Sequence, residues 1–347
     1  MDSAGVTRLV DLVDRFAGAR VVVFGDLLAD EFIYGEIARV SREAPVLILN
    51  YSSTQIVPGG AGNAASNVAA LGGRAAAVGV VGTDETGKRL LETMRRTIDV
   101  RGVTRPRGFV TPTKTRILAG GIHSAKQQVV RIDRTARSAA GERDLRAVES
   151  RLMTAAARCD ALLVSDYGSG LVTPALVAAA QKRLRPLRLA ALAQGGPGAA
   201  PVLVDSRYSL LRFRGMTTCT PNESEVEQLF GVRIGENRRV LEKCGRALLD
   251  RTRARAVLVT RGSRGMALFE RQRSTVHIPI FGSDQIADVT GAGDTVIATM
   301  TLALAAGATF EEAARLANYA GGLVVMKRGT ATVSADELRH AVESDRG

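Results

Sequence analysis

Short β-branched, apolar runs alternate with Ala/Leu-rich stretches of helical spacing along almost the whole chain. Arg20–Phe24, Ala75–Val81, Ala161–Ser165, Val202–Asp205, Thr217–Thr220 and Ala256–Thr260 predict strands. Ala64–Leu71, Glu85–Arg96, Glu142–Arg158, Pro174–Arg183, Asn222–Phe230, Arg238–Arg253, Asp294–Ala306 and Phe310–Met326 predict helices. This rhythm predicts an α/β fold, a mainly parallel central sheet with helices on both faces. Glu31–Val57 and Thr111–Ile132 break it, reading as consecutive strands with no helix between them. They predict a small antiparallel β lid standing off the main layer. Such a sheet exposes edges that proteins usually cover, and a C2 dimer is the commonest cover, so the lid is expected to pair two copies in a homodimer. Ala190–Pro201, rich in Ala, Gly and Pro, predicts a surface loop.

Composition narrows the class. The 347 residues are 46% hydrophobic and 24% charged, which excludes disordered and fibrous chains. Their number suits one large α/β domain, 1–347, with the lid as its appendage. The longest uncharged apolar stretch, Thr295–Phe310, carries four threonines and falls short of the ~20 apolar residues of a bilayer span. Asp2, Asp11 and Asp14 interrupt the first twenty residues, so no signal peptide is expected there. Cys159, Cys219 and Cys244 are scattered, without a CxxC, which points to a reducing cytoplasm.

The net charge of +12 is concentrated. Arg101–Arg151 holds twelve Lys/Arg against four Asp/Glu, and Gln181–Arg214 seven against one. Nucleic acid is one partner for such a chain, but aromatics are only 4%, Trp is absent, and no basic run is interleaved with stacking residues. A small phosphorylated substrate explains the charge as well; most of the basic residues are expected to be solvated.

Four glycine-rich segments bear on chemistry. Gly82–Arg89 fits GxxxxGK, but Arg89 stands where a P-loop needs a hydroxyl, and Asp84 and Glu85 would occupy a phosphate cradle. It reads as a strand-to-helix turn with an acidic N-terminus. Gly60-Ala-Gly62-Asn-Ala-Ala65 fits the dinucleotide fingerprint, yet Pro58 and Gly59 interrupt the strand that should enter it, and Asn63 occupies an N-cap position. Asp288-Val-Thr290-Gly291-Ala292-Gly293-Asp294-Thr295 runs into a helix. Small residues there free backbone N–H groups for an anion. Asp294 would repel a merely bound phosphate, but suits a base taking a hydroxyl proton during phosphoryl transfer. Alone, it could equally cap its helix. Thr220-Pro-Asn222-Glu223-Ser-Glu225 opens another helix; Asn222 and Glu225 share one face and could hold a hydrated Mg²⁺, although capping explains them too.

Taken together, in order, from about Arg20 to Leu338, these segments resemble the ribokinase-like (PfkB) carbohydrate kinases. PGGAGNAASNVAALGG from Pro58 and DVTGAGDT from Asp288 resemble the two family signatures, TPNESE the magnesium motif, and VTRGSRG from Val259 a nucleotide-binding turn. The resemblance implies a ribokinase-like fold and ATP-dependent phosphorylation of a sugar. Asp294 would be the base beside an anion hole of Gly291, Ala292 and Gly293. Asp26, Asp30, Gly59, Gly60, Asn63 and Asp166 would meet the sugar. Asn222, Thr260, Arg261, Gly262, Gly265 and Asn318 would meet ATP. Mg²⁺ would be held through water by Asn222 and Glu225, and a monovalent cation, K⁺ being the candidate, by Asp288 and Thr290.

Within the family, Gly25–Leu49, Thr111–Leu118, Gln127–Asp133 and Val164–Gly170 are similar to the subgroup acting on D-glycero-β-D-manno-heptose 7-phosphate. That likeness implies phosphorylation of the C1 hydroxyl to the 1,7-bisphosphate, a precursor of ADP-heptose and lipopolysaccharide. Lys114, Arg116, Arg131 and Arg207 are the candidates for the distal phosphate, arginine suiting a bidentate grip. Ser169 departs from the subgroup's usual lysine, and VDSR (Val204–Arg207) replaces its DPK. Other acceptors (fructose phosphate, ribose, a ketogluconate) are the nearest alternatives. A sugar-binding regulator without turnover and a nicotinamide-dependent reductase are the alternatives from other classes.

Overall fold

The computed structural model of the chain describes residues 3–120, 126–135, 140–184, 199–282, 289–327 and 329–345. Thirteen strands are described: β1 (Arg20–Gly25), β2 (Leu27–Val40), β3 (Leu47–Gly60), β4 (Arg74–Val80), β5 (Asp99–Thr104), β6 (Thr113–Gly120), β7 (Gln127–Arg134), β8 (Ala161–Asp166), β9 (Val202–Ser206), β10 (Thr218–Cys219), β11 (Ala256–Thr260), β12 (Met266–Glu270) and β13 (Val276–Ile278). The α-helices are α1 (Ser3–Asp14), α2 (Ala61–Ala70), α3 (Glu85–Met94), α4 (Glu142–Ala156), α5 (Pro174–Gln181), α6 (Glu223–Phe230), α7 (Arg238–Thr252), α8 (Ala292–Ala305), α9 (Phe310–Val325) and α10 (Ala335–Ser344).

Nine strands form the main sheet in the order β13-β12-β11-β10-β9-β8-β1-β4-β5. All pairs from β5 to β11 are parallel, and β12 is antiparallel to both of its neighbours. Strands buried on both faces supply two cores by simple alternation. Val21, Val23 and Leu163 face one, with α1, α2, α8 and α9; Val22, Phe24, Leu162 and Val164 face the other, with α4 and α7. That two-sided burial is why the parallel strands read as continuous apolar runs.

The lid sheet has the order β3-β2-β6-β7. Its two hairpins, β2/β3 and β6/β7, are antiparallel as expected, and a parallel seam between β2 and β6 joins them. Its strands start inside the body: Leu27–Asp30 and Gly59–Gly60 are buried, whereas Ile37, Val40, Leu47, Tyr51 and Val130 are exposed further out. The expected loop Ala190–Pro201 falls largely outside the described residues. Among the described residues, no helix is long and apolar enough to cross a membrane.

Candidate active site

The Val289–Thr295 segment enters α8 through Gly291, whose φ of +80° suits glycine, and a Cβ there would lie 2.5 Å from Asn63 Nδ2. Gly291 is the N-cap, so Asp294 sits three residues inside the helix and does not cap it. The first-turn N–H groups of Gly293 and Asp294 have no carbonyl within the helix to bond. A Cβ added to Gly293 would meet nothing within 4 Å, which leaves room for an anion.

Asp294 is buried. Asn63 Nδ2 donates to its Oδ2 at 2.8 Å, and the Tyr167 hydroxyl to its Oδ1 at 3.3 Å. Burial, with Asp30 nearby, raises its pKa to about 7, against the opposing effect of those donors and Lys114. A carboxyl poised there can take a proton near neutrality. Asn63 is not an N-cap: α2 starts after Gly60, and Asn63 turns inward to Asp294. The glycines around it serve close packing. A Cβ on Gly59 would meet Asp30 Oδ2 at 2.5 Å, and Gly60 has φ +56°.

Two predicted sugar contacts, Asp26 and Asp166, line the cavities and also carry hydrogen bonds within the protein. Asp26 is buried and accepts from the N–H groups of Tyr167 (2.7 Å) and Ser169 (3.3 Å) and from the Ser169 hydroxyl. Asp166 accepts from Gly168 N at 3.0 Å and Ser206 Oγ at 2.6 Å. Both therefore pin the turn after β8, with Asp166 also at the edge of the cleft. Burial raises the pKa of Asp26, against its hydrogen bonds.

The predicted phosphate cations divide into two kinds. Arg116 is buried, its Nη1 pairs with Asp30 Oδ1 at 2.5 Å, and it also lines the cleft. Arg131 makes two bonds to Asp133, at 2.7 and 2.6 Å. Lys114 and Arg207 have no side-chain hydrogen bond or ion pair among the described residues. The Lys114 ammonium lies 4.8 Å from the centre of the Tyr167 ring. Its pKa is lowered by burial and by Arg131, Arg207 and Arg116, against the attraction of Asp30. Lys114, Arg131 and Arg207 line both the main cleft, of about 540 Å³, and a second chamber of about 580 Å³ that Arg134 also lines.

Also on the cleft, Asn222 and Glu225 form a capping box on α6: Asn222 Oδ1 accepts from Glu225 N and Glu225 Oε2 from Asn222 N, both at 2.9 Å. The capping reading holds, and both residues also line the cleft. Asp205, at the end of β9, lines it with them and was missed in the sequence. Its pKa is raised well above the carboxylate range by burial and by Glu225, Asp294 and Asp166. These two carboxyl groups and the amide would offer Mg²⁺ hard oxygen donors, a bound cation favouring the ionised form of Asp205 against its burial. No cluster of three or more His, Cys, Asp or Glu with metal-ligand geometry occurs among the described residues.

Thr260, Gly262, Gly265 and Asn318 line the cleft, with Gly321 and Gly322 of α9. Arg261 does not. Its Nε donates to Glu223 at 2.7 Å and its Nη2 to Gly235 O at 2.6 Å, which turns it into the protein. Asn318 Nδ2 donates to Pro279 O at 2.9 Å and so braces the segment after β13. Thr290 lines the cleft, while Asp288 lies outside the described residues. The GxxxxGK segment is a turn, as expected: Asp84 caps α3 through Gly87 N at 3.1 Å and holds Thr111. Tyr167 was the other residue missed; it stands in the VSDYGSG stretch, whose aromatic carried no motif of its own.

The chain is similar to known proteins over nearly its whole length. It is 39% identical over 332 residues to the bifunctional protein HldE of Geobacter sulfurreducens, covering 95% of this chain and 64% of that protein. It is 39% identical over 342 residues to the bifunctional protein HldE of Caulobacter vibrioides, covering 98% and 66%. The chain thus spans under two thirds of the length of these relatives. Its fold is that of Arabidopsis thaliana ribokinase complexed with ribose and ATP (TM-score 0.68, 20% identity, 94% of this chain and 99% of that one). It is likewise that of phosphofructokinase-2 from Escherichia coli in complex with potassium (TM-score 0.70, 19% identity, 94% and 99%). The model of the pfkB family carbohydrate kinases matches residues 19–337, and the buried aspartate at the start of α8 falls inside that match: the chain belongs to the pfkB family of carbohydrate kinases.

Proposed function

We propose that the chain transfers the γ-phosphoryl group of ATP to a hydroxyl of a phosphorylated sugar, namely the C1 hydroxyl of D-glycero-β-D-manno-heptose 7-phosphate. The observation that carries the phosphorylated acceptor is the convergence of Lys114, Arg131 and Arg207 on one cavity edge. Like charges held together in a partly buried place are costly, and a bound dianion offsets that cost. The heptose rests on the likeness of Gly25–Leu49 and of the lid to that subgroup, and on the HldE relatives.

In this reading Asp294 takes the acceptor proton as the acceptor oxygen bonds to phosphorus and the bond to the ADP oxygen breaks. The Gly291–Gly293 backbone steadies the transferring group. Asn222, Glu225 and Asp205 would hold Mg²⁺ largely through water, and its charge would neutralise phosphate oxygens. Asp30, kept in place by Arg116, would accept sugar hydroxyls. Catalysis is then positioning and electrostatics, as in phosphoryl transfer generally. The exposed apolar residues of the lid support a homodimer formed through it; light scattering showing a monomer at micromolar concentration would remove that part.

The test is ADP release across phosphorylated and free sugars. Heptose 7-phosphate should give the highest kcat/KM. Fructose 6-phosphate or ribose beating it tenfold overturns the acceptor, and no ADP with any sugar overturns the reading itself.

A further inference from the structure

Tyr167 stands between the two cavities and lines both. Its backbone is fixed by buried Asp26, which accepts its N–H at 2.7 Å. One end of its side chain reaches the base: the hydroxyl donates to Asp294 Oδ1 at 3.3 Å, opposite Asn63 on Oδ2. The face of its ring supports the Lys114 ammonium at 4.8 Å, a cation–π distance. No other described side chain both bonds the base and carries one of the unpaired cations.

We propose that Tyr167 is a positioning residue that sets the rotation of the Asp294 carboxyl through its hydroxyl, and the place of Lys114 through its ring. One side chain then ties the base to the distal phosphate of the acceptor. This deepens the reading above and rests on it. With a donor on each oxygen, the carboxyl cannot swing, and its remaining lone pairs stay directed at the cleft. The hydroxyl is a permanent donor, because Asp294, burial, Asp205 and Asp30 all push its own ionisation well above the ordinary tyrosine range.

The two ends can be separated by mutation. Tyr167→Phe removes the hydroxyl and keeps the ring, so kcat should fall about tenfold or more, as for a lost hydrogen bond to a charged group, with KM unchanged. Losing a donor also raises the Asp294 pKa, so the acidic limb of the pH–kcat profile should move up by about half a unit to one unit. The charged and titratable groups facing Asp294 from the surrounding elements are Asp30, Lys114, Asp205 and Tyr167 itself, and this variant changes only the last. Tyr167→Ala should add a rise in KM for phosphorylated acceptors that is absent for their unphosphorylated analogues.

A second readout needs no acceptor. The ¹³C-carboxyl resonance of Asp294, assigned by its loss in Asp294→Asn, should titrate higher in Tyr167→Phe than in the parent. Parent-like titration, or a parent-like kcat and acidic limb, overturns the positioning role. A shifted titration in a chain that phosphorylates no sugar would instead sink the proposed function and leave the contact standing.

Discussion

Asp294→Asn separates a base from a structural residue, because the two roles predict opposite signs. Asparagine keeps the shape of the side chain and an oxygen for Asn63 to donate to, at the buried position three residues into α8. It cannot take a proton, so kcat should fall by about 10²–10⁴. The parent's kcat should rise with pH through a midpoint near the carboxyl's pKa of about 7. Stability should move the other way. The folded pKa is raised from 3.8, so ionising this group costs nothing below pH 4 and progressively more as pH climbs through 7. About three units at 1.36 kcal/mol each gives a penalty of roughly 4 kcal/mol as an upper bound. The variant escapes it. Its Tm should match the parent's near pH 4 and exceed it by roughly a few degrees at pH 8. The assays are coupled ADP release and thermal melts between pH 4 and 9. A variant turning over within a few-fold of the parent, or a Tm difference that ignores pH, would refute the reasoning.

Three further outcomes are expected. Lys114→Met and Arg207→Ala should each raise KM about tenfold for a phosphorylated acceptor and far less for its unphosphorylated analogue, since a charged hydrogen bond is lost only in the first; equal changes on both would make them surface residues. Arg116→Met leaves buried Asp30 without its ion-pair partner and should cost about 3–5 kcal/mol in urea unfolding, part of which Asp30→Asn in the same chain should restore. Gly60→Ala forces a side chain onto φ +56° with its Cβ 2.7 Å from Asp26 O, and should cost about 1–3 kcal/mol with a lowered melting temperature; a parent-like melt would show that the lid hinge yields.

The main sheet was readable because its parallel strands bury both faces and concentrate Val, Leu and Ala into runs. What was not read fails for local reasons. β5 carries Asp99 and Arg101 on an edge strand, whose charges break the apolar pattern. β12 is Met-Ala-Leu-Phe-Glu, mostly helix-favouring residues that tertiary pairing holds extended. β13 has three residues. α1 did carry a signal: Val6, Leu9, Leu12 and Val13 are its buried face at helical spacing. The parallel seam of the lid carried none, because β2 and β6 pair across some eighty intervening residues, and nothing local specifies direction.

The chemistry of the site was readable as residue types, and its roles only in part, because roles depend on offsets and partners. Asn63, Asn222 and Asp294 all stand near helix starts in the sequence. The capping residue is Asn222 alone; the other two lie three residues inside their helices, where a side chain points at neighbours instead of its own backbone. The twelve basic residues of Arg101–Arg151 likewise look equivalent until strand register sorts them. In the lid, Asp30 pairs across the seam with Lys114 and Phe32 with Arg116, so Lys114 and Arg116 share the face that carries Asp30. Arg116 takes the carboxylate, and with Arg116 on Asp30 and Arg131 on Asp133, Lys114 is left as the lid cation without an ion-pair partner at the cleft edge. A slip of one residue in that register would turn both cations to the opposite face. Which lid cation stands unpaired at the cleft edge is therefore set by the seam between two hairpins, a pairing that no window of the sequence displays.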